Sequence, residues 1–453
     1  MPIGRRGRMP ACHPRHWLLT ITYMRKEEYA EVVVVGAGPV GMTAALCLVQ
    51  RGKQVLLLDQ AWRRSSRSYA CALHPSALRL MRELGLADEL LKIGRRIERI
   101  AFYEEHARRA EVNLAGTDAE FPFLLLAPQS ELELLLENRL RAQPRALLLW
   151  NHRVTAINQQ ADGAWAVVEK LAETATGYMV PSWDWVVERT FSAKAYHLVG
   201  ADGRHSVVRR ELAIGEDTRQ TSELFEIYEF EVEGEPPAEA AVAWETGRTS
   251  ILWPLSGSRC RWAFQVASGP EAEEFPVKDR EPVEYVEEGQ PAAREQLRGH
   301  LKERAPWFKP AVGEIVWHGH AQFQPWLATR WGFDRCWLAG DAAHQTGPAG
   351  MQSMNAGLLE ARDLADAIAQ AQENPDAAQA LTAYERRHRE KWRGLLGGAE
   401  SLRSGPETAA WADRNAARLL SCLPGTGAEL VPLAARLGLA FAPPACEPAR
   451  GGG

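Results

Sequence analysis

Gly36, Gly38 and Gly41 are spaced as GxGxxG, a pattern that lets a backbone turn tightly and approach a pyrophosphate. Asp59 follows about 20 positions downstream, where an acid can hold a ribose hydroxyl. Two further stretches mix small and acidic residues in the same way: Gly200-Ala-Asp202-Gly203 and Gly340-Asp341-Ala-Ala-His344. One glycine motif alone says only that some dinucleotide binds. An early GxGxxG, a mid-chain Asp-Gly and a late Gly-Asp leading into a glycine-rich loop and a helix point together to one buried flavin nucleotide.

Each motif needs elements to aim it. Glu31-Val32-Val33-Val34-Val35 is a β-branched run suited to a parallel strand covered on both faces. The helix expected over residues 39–51 would turn its N–H groups and positive dipole end toward the phosphates, and Gln54–Leu58 supplies the next strand. Tyr196-His-Leu-Val leads into the Asp-Gly turn; there Asp202 can cap a helix or hold a sugar hydroxyl, and Arg209 and Arg210 can face a phosphate or solvent. Asp341 ends a third strand, where it suits a ribityl hydroxyl. The loop Gly347-Pro348-Ala349-Gly350 feeds a helix over 358–372 whose Leu358, Ala361, Leu364, Ala365 and Ile368 form a core face. Such a loop at a helix start suits a ring edge that becomes negative on reduction. His344 reads as a structural loop histidine rather than a catalyst.

Over residues 31–372 these motifs resemble those of the single-component, FAD-dependent aromatic hydroxylases, typified by para-hydroxybenzoate hydroxylase and the polyketide and phenol hydroxylases. The resemblance implies that Gly36, Gly38 and Gly41 cradle the FAD pyrophosphate, with Asp59 on the adenosine ribose. It implies that Asp202 serves both FAD and NADPH or NADH, and that Gly340 and Asp341 meet the ribityl chain. Pro348, Gly350 and Asn355 would lie beside the isoalloxazine, with Gln129 contacting the flavin. The implied activity inserts one oxygen atom from O2 into an aromatic or polycyclic small molecule through a flavin C4a-hydroperoxide, in natural-product tailoring. Two departures stand out. Tyr69 occupies a position where relatives carry Arg, with Arg67 two residues earlier; Met351 and Ser353 stand where relatives have glycines, implying a bulkier loop and altered ring mobility. No catalytic acid or base carries over.

The implied fold class is α/β: a Rossmann-type FAD-binding domain interleaved with a smaller, mainly antiparallel sheet domain for substrate, then C-terminal helices. The expected boundaries are a disordered extension at 1–29, the FAD-binding domain at 30–215 and 325–400, the substrate domain at 216–324 and a helical tail at 401–453. Leu224–Val232 interleaves apolar and acidic residues, as in a sheet with one solvated face, and 269–290 reads as a surface loop. Trp244, Trp253 and Trp262, with Phe264, are candidates to line a flat pocket, and His318, with His320 and Gln322, to orient or deprotonate a hydroxyl.

Composition excludes other classes. With 53 basic and 58 acidic residues the net charge is −5, which argues against nucleic-acid binding and strong membrane attraction. Seven scattered Cys without a CxxC argue against a metal site and for reduced, cytoplasmic thiols. The Arg-rich start has no signal-peptide core, and Met24 is expected to begin the folded protein, a monomer or homodimer without a membrane span. A flavin-dependent halogenase or reductase of the same fold and a non-catalytic flavin-binding scaffold are the alternatives. Against the halogenase, Trp183-Asp-Trp185 continues as Val-Val-Glu and precedes the Asp-Gly motif.

Overall fold

The computed structural model describes residues 27–65, 72–176, 182–218, 221–273, 283–286, 291–374, 379–397 and 401–441. The extension up to residue 26, with Met24, and the Arg67/Tyr69 departure lie outside these residues.

Val32–Val35 is fully buried and pairs in parallel with Val55–Leu58 on one side and His197–Gly200 on the other. The whole sheet runs in the order Gly332–Phe333, Cys336–Leu338, His197–Gly200, Val32–Val35, Val55–Leu58, Ala146–Leu149. All neighbours are parallel except the outermost Gly332–Phe333. Strands from three distant parts of the chain thus lie side by side. Their register aligns Val35, Gly200 and Leu338, so all three glycine motifs leave the sheet at one edge. The carboxyl ends of parallel strands are where open α/β sheets bind ligands.

The second sheet has eight strands, ordered Val283–Val286, Ala311–Phe323, Glu223–Glu233, Arg259–Ser268, Arg248–Pro254, Ala240–Glu245, Arg99–Glu104, Ala107–Asn113. Only the pairing of Ala240–Glu245 with Arg99–Glu104 is parallel. The sheet therefore takes two strands from the segment 99–113, which the sequence reading assigned to the nucleotide-binding part. Another strand, Val283–Val286, rises from the stretch expected to be a surface loop.

The expectation of one solvated face is corrected. Helix Pro291–Arg304 covers one face through Ala293, Leu297 and Leu301, which pack on Tyr228, Leu252, Trp262 and Phe264. The other face, with Phe225, Ile227, Val242, Trp244, Ile251, Trp253 and Ala263, joins the main core. Glu226 and Glu229 on the strand Glu223–Glu233 are accordingly buried and partnered, while Glu231 and Glu233 stay exposed. Glu226 accepts from His300 at 2.8 Å and pairs with His318 at 2.9 Å; Glu229 accepts from Arg261 at 2.7 Å and from the Trp317 indole at 3.1 Å. A buried carboxylate is tolerated only with such partners.

The tail forms helices Ala410–Arg414, Ala416–Cys422 and Leu430–Ala435, tied by the antiparallel pair Leu402–Ser404 and Leu439–Phe441. No helix among the described residues is long and apolar enough to cross a membrane.

Candidate functional site

Three glycine positions weld the motifs together. At Gly36 (φ +99°) a side chain would overlap the Ala201 carbonyl and come within 2.7 Å of the Asp202 Cα. At Gly41 a side chain would overlap the Gly36 carbonyl, so the helix Pro39–Gln50 sits directly on the turn that precedes it. At Gly357 it would meet Val40 at 2.7 Å and the Gly340 Cα at 3.1 Å. Beside Gly38, the N-cap of that helix, nothing lies within 4 Å of the corresponding position, which leaves open space at a helix N-terminus.

Acids around this edge differ in what occupies them. Asp59 accepts from Ala37 N at 2.6 Å and Ala61 N at 2.7 Å, and burial raises its pKa. Asp202 accepts from Val207 N at 2.7 Å, Val208 N at 3.2 Å and the Ser206 hydroxyl, so it caps the helix Val207–Glu211. Arg209 is buried and ties this motif to the third by donating to the Ala342 carbonyl at 3.0 Å. It faces neither phosphate nor solvent; Arg210 is exposed. Gln129 donates to Glu133 at 2.8 Å, and burial pushes the Glu133 carboxyl up to about 7.

Asp341 is different. Its carboxylate accepts no hydrogen bond among the described residues, and burial raises its pKa. A half-buried carboxylate without a protein donor is left to solvent or to a ligand that supplies one. The open position at Gly38 and the unpartnered Asp341 on one sheet edge fit a nucleotide with a hydroxyl-bearing chain. The turn that carries Asp341 is held from below. Gly340 N donates to Glu360 at 3.1 Å, His344 Nε2 lies 2.7 Å from the same oxygen, and the Trp392 indole donates to the other at 2.8 Å. His344 and Glu360 are both fully buried, and the His344 ring stacks on Trp392 at 3.8 Å. His344 is thus a structural loop residue, as expected.

The glycine-rich loop is clamped from both sides. His74, absent from the sequence-based site, makes a 2.9 Å hydrogen bond from Nε2 to the Gly350 carbonyl. Burial lowers its pKa, and because a carbonyl oxygen can only accept, Nε2 is the donor. Asn355 accepts from His74 N at 2.8 Å and donates to the carbonyls of Ala72 at 2.9 Å and Met351 at 2.7 Å. Opposite, Gln352 donates to the carbonyls of Leu420 and Leu423 at 3.0 and 2.9 Å. Pro348 is half-buried on this loop. The helix Gln352–Glu373 starts six residues before the expected 358 because Gln352 and Asn355 make these bonds within its first turn.

Met351, one of the two departures, adopts φ +51°, a left-handed conformation that disfavours a side chain by roughly 1–2 kcal/mol. Ser353, the other departure, accepts from Thr346 N at 3.0 Å. Ser353 is the departure that adds a bond to the loop. The variant Ser353→Ala should exchange its amide hydrogens over 346–353 about fivefold faster, the loss of roughly 1 kcal/mol of hydrogen bonding. Hydrogen-exchange mass spectrometry measures this, and unchanged protection there contradicts the clamp.

The second sheet divides the aromatic candidates. Trp244 and Trp253 lie on the face toward the nucleotide-binding part, where Trp244 stacks on Trp411 at 5.6 Å and beneath the Arg418 guanidinium at 4.5 Å. Trp262 lies in register with Leu252 and packs beneath the helix Pro291–Arg304 on the opposite face. His318 shares that face, stacked on Tyr228 at 4.3 Å and bonded to Glu226. The structure does not place Trp262 or His318 on the face toward the nucleotide-binding part. Glu223, bonded to Gln265 and opposed by Arg418, lies there instead, and the sequence reading passed over all three. Glu223 Oε2 lies 3.3 Å from where a side chain at Gly347 would begin, against the clamped loop.

A family model described as "FAD binding domain" matches residues 29–396, most of the chain. Among curated proteins, pentachlorophenol 4-monooxygenase of Sphingobium chlorophenolicum is 24% identical over 361 residues, 78% of this chain and 61% of that one. Para-nitrophenol 4-monooxygenase of Pseudomonas sp. (strain WBC-3) is 25% identical over 372 residues, 78% of this chain and 81% of that one. The chain thus spans less than two thirds of the first relative. The crystal structure of p-nitrophenol 4-monooxygenase PnpA from Pseudomonas putida DLL-E4 shares the fold, with a TM-score of 0.66, 20% identity, and coverage of 87% of this chain and 94% of that one.

Proposed function

The chain belongs to the FAD-dependent aromatic hydroxylase family, and from that premise we propose that it is a monooxygenase transferring one oxygen atom from O2 to an aromatic small molecule at the expense of NADH or NADPH. The observation that carries this reading is the unpartnered Asp341 carboxylate on the edge where three glycine turns meet. Gly36, Gly38 and Gly41 would hold the FAD pyrophosphate, Asp59 the adenosine ribose, and Gly340 and Asp341 the ribityl chain. Gln129 would contact the flavin, and Pro348, Gly350 and Asn355 would border its ring. Asp202 would act by fixing the second turn, since both its oxygens are engaged there. When bound, FAD supplies two-electron chemistry with the nicotinamide and with O2.

The chain's own residues do the rest. The loop held by His74 and Gln352 positions the ring without using a mobile side chain. Trp244 and Trp253, buried on the face toward the nucleotide-binding part, would help exclude water from an oxygen-transfer site there, with Arg418 of the helix Ala416–Cys422 over Trp244. Purified protein should carry FAD, consume NADH or NADPH faster when a phenol is added, and return a product one oxygen atom heavier, labelled from 18O2. A bound flavin that oxidises NADH or NADPH without such a product favours the reductase or halogenase alternative, and one that oxidises neither favours the scaffold.

A further inference from the structure

We propose that Glu223 is the catalytic base that takes the proton from a ring hydroxyl of the substrate, so that the pocket selects phenols over rings without an ionisable hydroxyl. This rests on the monooxygenase reading and adds to it a residue and a substrate class.

Geometry comes first. Glu223 opens the strand Glu223–Glu233 on the face toward the nucleotide-binding part, half-exposed, with Gly347 of the clamped loop opposite it. Its Oε1 accepts from Gln265 Nε2 at 3.1 Å. Gln265 cannot be turned the other way, because its carbonyl oxygen accepts from Thr249 N at 2.9 Å. Oε2 accepts nothing among the described residues and faces the loop. A side chain at position 347 would press on that oxygen at 3.3 Å; glycine leaves it accessible.

Electrostatics suit the task. Burial raises the Glu223 pKa, opposed by the Arg418 guanidinium and the Gln265 hydrogen bond. The titratable groups that face it are Arg418 and Cys422, both on the helix Ala416–Cys422, while Glu104 acts on Arg418 from the sheet. Its cross-strand neighbours Ser268 and Phe323 and the loop 346–350 bring no charge. A carboxylate raised toward neutrality is better matched to a phenol than an ordinary one. In the step, the ring O–H bond breaks, its proton bonds to Oε2, and the electron pair stays on the ring oxygen. The phenolate donates density into the ring, which electrophilic oxygen transfer needs, and Arg418 balances its charge. The proton returns to that oxygen as product leaves.

The test uses the FAD-loaded full chain, its Glu223→Gln and Glu223→Asp variants, and 4-nitrophenol, whose phenolate is coloured, with nitrobenzene as the ring lacking a hydroxyl. The native protein should bind 4-nitrophenol as phenolate at a pH where the free phenol is protonated. E223Q should keep its FAD, bind the protonated phenol, and lose roughly 100-fold in kcat with little change in KM; E223D should recover part of that loss. Nitrobenzene should be bound no differently by the three proteins. The same ionisation of bound phenol in native protein and E223Q overturns the proposal, as does native protein that holds FAD but no 4-nitrophenol. Native protein that binds no FAD overturns the underlying reading instead.

Discussion

Replacing Asp341 with alanine should make the FAD-free protein more stable and its FAD complex weaker. The two effects have one cause. The carboxylate is half-buried and accepts no hydrogen bond among the described residues, and burial raises its pKa, so without ligand its ionised form is a liability. With FAD bound it would accept from ribityl hydroxyls, and losing one charge-assisted bond weakens binding roughly 10- to 100-fold. The pH dependence has a definite sign. A carboxyl whose folded pKa lies above its unfolded value binds more protons when folded, so stability falls as pH rises from its ordinary 3.8 through the raised folded value. That slope should be missing from D341A. Calorimetry of the FAD-free proteins across pH and FAD titration by fluorescence quenching measure both halves. An alanine variant that is less stable yet binds FAD unchanged would remove Asp341 from the site.

Replacing His344 with alanine should cost about 3–5 kcal/mol, the effect of removing one partner from a fully buried carboxylate. Glu360 is held below the usual carboxylate range, against the burial that would raise it, by His344, His388 and the Trp392 indole. Without His344 it keeps the Trp392 and Gly340 donors but loses the closest one and the ring stacked on Trp392. The double variant His344→Ala, Glu360→Leu should recover much of the loss, since it removes the stranded charge as well. FAD affinity should fall most in the double variant, where Gly340 N loses its Glu360 acceptor beside Asp341. Chemical denaturation of the FAD-free proteins measures the cost; a loss below 1 kcal/mol for H344A means the pair contributes little.

The nucleotide-binding half was legible in the sequence because its constraints are local. A β-branched run, a glycine that must take φ +99°, and a helix starting three residues later leave few alternatives. The second sheet was much less legible. Trp253 and Trp262 sit on adjacent strands, and only the register of the intervening turn, which pairs Trp253 with Arg261 and Leu252 with Trp262, sends them to opposite faces. Register shifts between Leu224 and Phe225 and again near Phe230 break the alternation that a strand pattern relies on. Glu226 and Glu229 looked like a wet face because their partners His300, His318, Arg261 and Trp317 come from 32 to 92 residues away. Glu223 was hidden for the same reason: a lone acid at a strand start carries no local mark of burial. Met351 and Ser353 were visible as departures, but their hydrogen bonds and left-handed turn were not.

The loop that borders the pocket leans on a stretch of chain made about 70 residues later, through Gln352 and the carbonyls of Leu420 and Leu423. While the polypeptide is being synthesised, the glycine turns and their helix emerge first and wait without that buttress. Cofactor capture is therefore an event for the released chain, and a nascent protein stalled before residue 416 would leave the ribosome's surface colourless.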